Sequence, residues 1–287
     1  MGDVLPSRAS FGSEPSGLGL ESQETPRDHI SPKIRNFLAV AEQHGYRWAW
    51  ADTCCIDKTS SAELTEAINS MFRYYALSDV CYVYLPDVSS DCEMNVTNSE
   101  FHRSRWHVRG WTLQELLAPK NVVFLSQDWS FLGKKFTLAD TIESITHIPA
   151  SVLRFEKDVT DMSVAARMSW AAKRETTRVE DEAYSLFGLF GVNMPTLYGE
   201  GSNAFYRLQE EIFRTSTDTT LLVWGQLFKA SRVQSVWPFN AAHSHPSRYL
   251  FAPSPKEFRE TGRVTCGSMI NASTQSVWFR FVLKERH

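Results

Sequence analysis

Two stretches near the N-terminus carry apolar residues at the spacing of one helical face. The first follows Ser31 and Pro32, an N-cap and a first-turn proline, and stops before Gly45; its apolar positions are Ile34, Phe37, Leu38 and Ala41. The second follows Ser60 and Glu63, a capping-box pattern; its apolar positions are Leu64, Ala67, Ile68, Met71, Phe72 and Tyr75. Both patterns predict amphipathic helices.

Three short runs of aromatic and β-branched residues predict buried strands. They read RWAWAD, ending at Asp52, then CYVYLPD, closed by Pro86, and then NVVFL. The second helix connects the first two runs, so we expect a parallel strand–helix–strand unit. Residues 87–99 are polar and predict a loop, and GWTLQELLA predicts a short helix that Pro119 ends.

Beyond about residue 137 the periodicity is almost wholly helical, which divides the chain into four predicted parts. Residues 1–30 are rich in Gly, Ser and Pro and are predicted to be disordered, residues 31–136 form an α/β domain, and residues 137–217 form a helical extension packed on it. Residues 218–287 are predicted to be irregular and partly β, with strands at LLVWG and VWFRFVL. The predicted helices of the extension are Leu138–Thr146, Val164–Ala172, Glu180–Leu189 and Ser202–Phe213.

The amino-acid composition argues against two classes of partner, nucleic acids and membranes. The net charge of −3 gives no basic surface of the kind that nucleic acids require, and nowhere do about 18 apolar residues run together as a membrane span would need. The five cysteines form no CxxC pair, and Cys54 and Cys55 fall at the end of a predicted buried strand. We therefore expect free thiols, a cytoplasmic location and no metal site.

Acidic residues follow the predicted strands, where ligands of parallel sheets bind. Asp52 and Asp57 follow the first strand and Asp87 follows the second. They are candidates for binding ribose hydroxyls or phosphates, and the alternative is that they cap helices and stabilise turns.

Glu115 lies one helical turn from Trp111, so the two side chains share a face. A carboxylate beside an indole could hold an aromatic ring and stabilise positive charge on a sugar, as in glycoside cleavage. The alternative is a solvated glutamate with Trp111 in the core. We take Glu115 as the candidate catalytic residue and Trp111, Asp52, Asp57, Asp87 and Arg109 as the candidate substrate-binding residues.

Three long blocks resemble the fungal heterokaryon incompatibility (HET) domain and the helical extension that follows it in many fungal proteins. They begin WAWADTCCID, SRWHVRGWTLQEL and MSWAAKRETTRVEDEAYSLFGLF, and together with their flanks they cover roughly residues 30–217. HET domains are thought to be distant relatives of Toll/interleukin receptor (TIR) domains, some of which cleave NAD. The resemblance therefore implies a TIR-like, flavodoxin-like parallel sheet.

The resemblance also implies a function in fungal self/non-self recognition and programmed cell death. The sequence WTLQEL is similar to the TIR motif around the catalytic glutamate, which corresponds to Glu115, with Thr112 where that motif has a cysteine. NAD is then a candidate substrate rather than a bound cofactor, and the expected partners are other incompatibility or signalling proteins or a second copy of the chain.

Residues 1–30 show no counterpart of the first strand and Ser-His-Thr-Trp-like turn that usually open a HET domain. We therefore expect a sheet that is incomplete at its N-terminus and a chain without enzymatic activity as encoded. Two alternatives stay open beside an NAD-cleaving effector: a non-enzymatic signalling or association module, and an inactive truncated paralogue.

Overall fold

A small mixed sheet lies at the centre of the N-terminal half. The computed structural model describes residues 30–225, 250–266 and 282–283. Strands β1 (Cys81–Tyr84), β2 (Val122–Leu125) and β3 (Phe131–Lys134) form a sheet of order β1-β2-β3. The central strand β2 is buried along its whole length, which explains its unbroken apolar run VVFL.

The pairing corrects the predicted all-parallel sheet. β1 and β2 are parallel, with Cys81 opposite Val122, whereas β2 and β3 are antiparallel. The strand β3 was not predicted, because its sequence FLGK lacks a clear alternation and Phe131 is exposed. The molecule is thus mixed α/β.

The predicted strand RWAWAD is wrong. Residues 47–51 have no regular structure, and helix α2 (Asp52–Cys55) starts where the strand was expected to end. Trp50 packs against Tyr74 at 5.4 Å and Tyr75 at 5.8 Å, so ring contacts hold this segment instead of backbone pairing. Upstream of β1 the described residues form helices and turns but no strand.

Two predicted helices flank this segment. Helix α1 (Pro32–Gln43) begins with the Ser31 hydroxyl accepting a hydrogen bond from the Ile34 amide, and Gly45 follows its end with a positive φ. Helix α3 (Ser61–Ala76) is capped by Ser60, whose hydroxyl accepts from the Glu63 amide at 3.3 Å. The predicted capping box is only half formed, because the Glu63 carboxylate accepts from the amide of Asp57.

The other helices are short. Helices α4 (Glu100–Arg103) and α5 (Thr112–Leu117) lie between β1 and β2, joined by a 3-10 turn at Arg105–Val108. The predicted helix over residues 180–189 is split into two. After β3 come α6 (Ala139–Thr146), α7 (Ala150–Leu153), α8 (Val164–Ser169), α9 (Asp181–Tyr184), α10 (Phe187–Phe190) and α11 (Asn203–Thr215).

One apolar core runs through the described residues, from Ile68 on α3 to Val264. Helix α10 lies directly on α3: a Cβ added to Gly188 would stand 2.0 Å from the Cβ of Phe72. The Gln209 side chain exchanges hydrogen bonds with both backbone groups of Ala252, which ties residues 250–266 to α11. No linker separates the helices from the sheet, although the predicted domain boundaries stay a prediction.

The C-terminal strand predictions had different outcomes. LLVWG is not a strand, because Thr219–Leu222 is a 3-10 helix capped by Asp218. Of VWFRFVL, the described part is strand β5 (Val282–Leu283), which pairs with β4 (Val264–Thr265). Residues 1–29, the bulk of the segment predicted to be disordered, lie outside the described residues. No helix in the described ranges is long and apolar enough to cross a membrane.

The predicted environment of the cysteine pair is also wrong. Cys54 is exposed and Cys55 is half-buried, because they lie on the short helix α2 and not at the end of a buried strand. Both carry free thiols, as do Cys81, Cys92 and Cys266.

Candidate functional site

The carboxyl of Glu115 lies on a helix that begins in a tightly bonded turn. The Thr112 hydroxyl, in the first turn of α5, lies 2.6 Å from the carbonyl of Trp106 and 2.8 Å from that of Arg109. Arg174 donates to the same Arg109 carbonyl at 2.8 Å and to the Thr112 hydroxyl at 2.9 Å. These bonds fix the direction in which α5 leaves the turn, and therefore the position of Glu115.

The Glu115 carboxyl is desolvated and has one side-chain donor. The indole N–H of Trp106 donates to its Oε2 at 3.0 Å. The residue as a whole is half-buried. Burial raises the pKa of Glu115, and the Trp106 hydrogen bond opposes that rise.

Charged groups from three other parts of the chain act on this carboxyl. The negative charge of Asp52, at the start of α2, raises the pKa of Glu115 further, whereas Arg109 and Lys33 lower it. The structure thus brings together Glu115, Asp52 and Arg109, three of the six residues predicted for the site.

Trp111 lies in the core beside the site. It is half-buried and packs against a small cluster made of Ile56, Ala67 and Met71. Burial raises the pKa of Asp181, against opposing polar contacts from Tyr198 and Trp111. Trp111 therefore packs against the core, which was the alternative to holding the ring of a substrate. It lies one helical turn from Glu115 all the same.

The other two predicted aspartates have turn and cap contacts. Asp57 accepts hydrogen bonds from the amide and the hydroxyl of Thr59, which lower its pKa. Asp87 accepts from the Ser104 hydroxyl and the Arg105 amide, both at 2.8 Å, and so fixes the loop after β1 to the 3-10 turn. Neither interacts with Glu115 in the described part of the chain.

Two side chains that interact with Glu115 were not predicted from the sequence as part of the site. Trp106 supplies the hydrogen bond to Glu115, and Tyr75 is close enough that the Glu115 charge adds to burial in raising the pKa of its hydroxyl. The nine-residue separation of Trp106 and Glu115 matches no helical repeat, because the 3-10 turn and the bend at Gly110 lie between them. Tyr75 was predicted only as a core position of its helix.

This arrangement suits a reaction that needs one negative charge at a partly desolvated position. A half-buried carboxylate held by a single donor can stabilise a developing cation or accept a proton. No group of three or more metal-ligating side chains lies together in the described ranges.

Comparisons with known proteins give the following matches. Residues 12–100 match the family model "Heterokaryon incompatibility protein (HET)", and residues 203–284 match a domain of unknown function, DUF8212. Vegetative incompatibility protein HET-E-1 of Podospora anserina is 47% identical over 185 residues, which are 63% of this chain and 14% of that protein. The chain thus spans about one seventh of the length of this relative. No solved structure matches.

Proposed function

We propose that this chain, whose residues 12–100 match the HET family model, acts in fungal vegetative, or heterokaryon, incompatibility, where it triggers programmed cell death. The identity of 47% with a vegetative incompatibility protein supports this role. The match covers a small part of that relative, so the proposal concerns what these residues do and not the whole larger protein.

The chemical part of the proposal replaces the expectation of a chain without enzymatic activity: we propose that Glu115 assists cleavage of the bond between nicotinamide and ribose in NAD. The observation that carries it is the Glu115 carboxyl itself: half-buried, desolvated and held at Oε2 by one indole N–H. A group buried in this way and flanked by Asp52 and Arg109 is typical of functional sites. The similarity of WTLQEL to the TIR motif points to the same residue.

Each neighbour has a distinct part in this chemistry. The Trp106 N–H orients the carboxylate through Oε2, so that Oε1 can face the anomeric carbon as nicotinamide leaves. The ionised form stabilises positive charge on the ribose, and Arg109 and Lys33 favour that form. Water then completes the cleavage at the same carbon.

A second candidate function is association without catalysis. Two observations favour it: Trp111 packs against the core, and Glu115 lines neither the cleft beside His107 nor the pocket beside Tyr82. The edge strand β3 begins at Phe131, and both Phe131 and the nearby Phe136 are 62% exposed. An edge strand with exposed aromatic rings can pair with another chain.

Inducible expression in fungal cells separates the two functions. Glu115→Gln keeps the shape and the acceptor for Trp106 but removes the charge, and Glu66→Gln is the matched control because Glu66 is an exposed residue of α3 outside the candidate site. We expect the unchanged chain and the Glu66 variant to lower viability and cellular NAD, and the Glu115 variant to do neither. Full killing by a folded Glu115→Gln protein, lost in a Phe131→Ser/Phe136→Ser double variant, would favour association instead.

A further inference from the structure

A large cleft of the described residues lies away from Glu115. Its volume is about 1780 Å³. Its walls come from residues 102–108, from α6 and the turn after it, from the start and end of α8, and from residues 259–266. The NAD cleavage proposed for Glu115 does not involve this cleft.

Two buried side chains on its wall have polar atoms without partners. His107 is 5% exposed, and neither of its ring nitrogens has a hydrogen-bond partner. Arg174 is also 5% exposed, and its Nη2 has none, although Nε and Nη1 are bound to backbone carbonyls. Unpartnered buried polar atoms are uncommon because each costs about 1–3 kcal/mol.

The backbone sets these two side chains side by side. The amide of Glu175 donates to the carbonyl of Val108 at 2.6 Å, and the amide of Gly110 donates to the carbonyl of Glu175 at 2.8 Å. This parallel bridge joins Glu175, the residue after Arg174, to Arg109, two residues after His107. Burial, together with the Arg174 charge, lowers the pKa of His107 to about 3, so the imidazole is neutral and presents one N–H donor.

The Arg174 guanidinium has no carboxylate within ion-pair distance in the described part of the chain. A buried guanidinium is normally paired, because an isolated charge is costly to desolvate. The Phe101 carbonyl favours the charged form of His107, but no contact at either ring nitrogen meets hydrogen-bond geometry. Both observations leave room for an external acceptor.

We propose that this cleft binds a small oxyanion, a phosphate or carboxylate group, between Arg174 Nη2 and the N–H of His107. Lys173 lies on the rim, where its Nζ is 2.9 Å from Nε2 of His147 and bound to no carboxylate of the described residues. An oxyanion supplies the acceptors that the guanidinium and the imidazole lack.

Recognition is local, because the cleft as a whole is nearly balanced in charge. Four of its five acids have other partners: Asp140 binds Arg154, and Glu143, Asp161 and Asp218 accept from backbone amides. Its arginines and lysines are Arg103, Lys157, Lys173, Arg174, Arg259 and Arg263. A ligand would therefore be fixed at the Arg174–His107 pair, with the rim adding weaker attraction.

The test measures the thermal midpoint and the heat of titration of the full chain with sodium phosphate or sodium acetate, with chloride keeping the ionic strength constant. His107→Phe removes both ring nitrogens while keeping a flat ring beside Phe101 and Trp106. Lys173→Met changes the exposed rim, and Lys58→Met is a matched exposed control outside the cleft.

We expect one of the two anions to raise the midpoint of the unchanged chain and of the Lys58 variant. His107→Phe should fold with an equal or higher midpoint and lose the response, and Lys173→Met should weaken binding about 3- to 10-fold. A larger response to phosphate assigns a phosphate ligand, and a larger response to acetate assigns a carboxylate. The absence of any response at 10 mM anion, on the order of a weak ligand's Kd, or a full response in His107→Phe, overturns the proposal.

Discussion

Ionisable groups lie on both sides of the segment that leads into α5, and the two sides differ in whether those groups have hydrogen-bond partners. Trp106 and His107 are neighbours in one 3-10 turn, yet Trp106 donates to the Glu115 carboxyl, while His107 lines the large cleft with both nitrogens unpartnered. On the acidic side, the Glu115 carboxyl has a hydrogen-bond donor. On the basic side, both ring nitrogens of His107 and Nη2 of Arg174 have no hydrogen-bond partner. Burial alone therefore does not mark a ligand site; the partner of each polar atom does.

Arg174 connects the two sides. Its Nη1 binds the turn that orients α5, and its Nη2 has no hydrogen-bond partner although the residue lines the cleft. Burial lowers the pKa of Arg174 to about 10, and the Glu115 charge opposes that change. A change at Arg174 should therefore affect both clusters, whereas a change at Glu115 or His107 should affect one.

The largest effect is expected for Arg174→Met. The variant leaves the Trp170 carbonyl without its donor and the Arg109 carbonyl with the Thr112 hydroxyl alone, so we expect a loss of about 3 kcal/mol in the free energy of unfolding, measured by urea denaturation. Arg174→Lys, which keeps the charge, should lose less. If Arg174→Met is as stable as the unchanged chain, the guanidinium does not hold the turn and the link between the clusters is wrong.

The next effect is the pH dependence caused by His107. Its folded pKa of about 3 lies below the ordinary 6.5, so the unfolded chain binds the proton more readily and stability falls as the pH drops below 6.5. His107→Phe removes this loss and should gain about 2 kcal/mol on the unchanged chain between pH 7 and pH 5. Denaturation curves at the two pH values measure the gain. Parallel pH profiles for both proteins would mean that His107 is not a buried neutral imidazole.

The smallest effect is expected at Glu115, because Trp106 and Arg109 offset part of its burial. Its folded pKa is raised, so the folded chain binds the proton more readily and stability falls as the pH rises from the ordinary value of 4.5 through the folded pKa. Glu115→Gln should flatten that part of the pH profile of the thermal midpoint. A profile unchanged by the substitution would place the carboxyl in bulk solvent.

The local elements of the fold were largely readable from the sequence. Ser31 and Ser60 cap the helices whose apolar spacing predicted them, and CYVY and VVFL are strands. RWAWAD was misread because a run of large aromatic residues is typical of strands, whereas here Trp50 packs on tyrosines of α3. The antiparallel strand β3 escaped prediction, since pairing across four residues leaves little pattern.

The candidate site was predictable only in part. Glu115 stood out through its motif, and Asp52 and Arg109 do act on it. Trp106 and Tyr75 could not be assigned to it, because their approach to Glu115 depends on the turn and on the packing of α3. The Arg174–His107 pair joins residues that lie 67 positions apart in the sequence (174 minus 107), and no local pattern connects them.

The central claim is that Glu115 is the reacting carboxylate of this chain. Its most direct test is the rate of nicotinamide release from NAD by the purified chain and by Glu115→Gln, each shown to unfold cooperatively. We predict measurable release by the unchanged chain and a loss of at least about 100-fold in the variant. Equal rates in the two proteins, or no release by the folded unchanged chain, would contradict the claim.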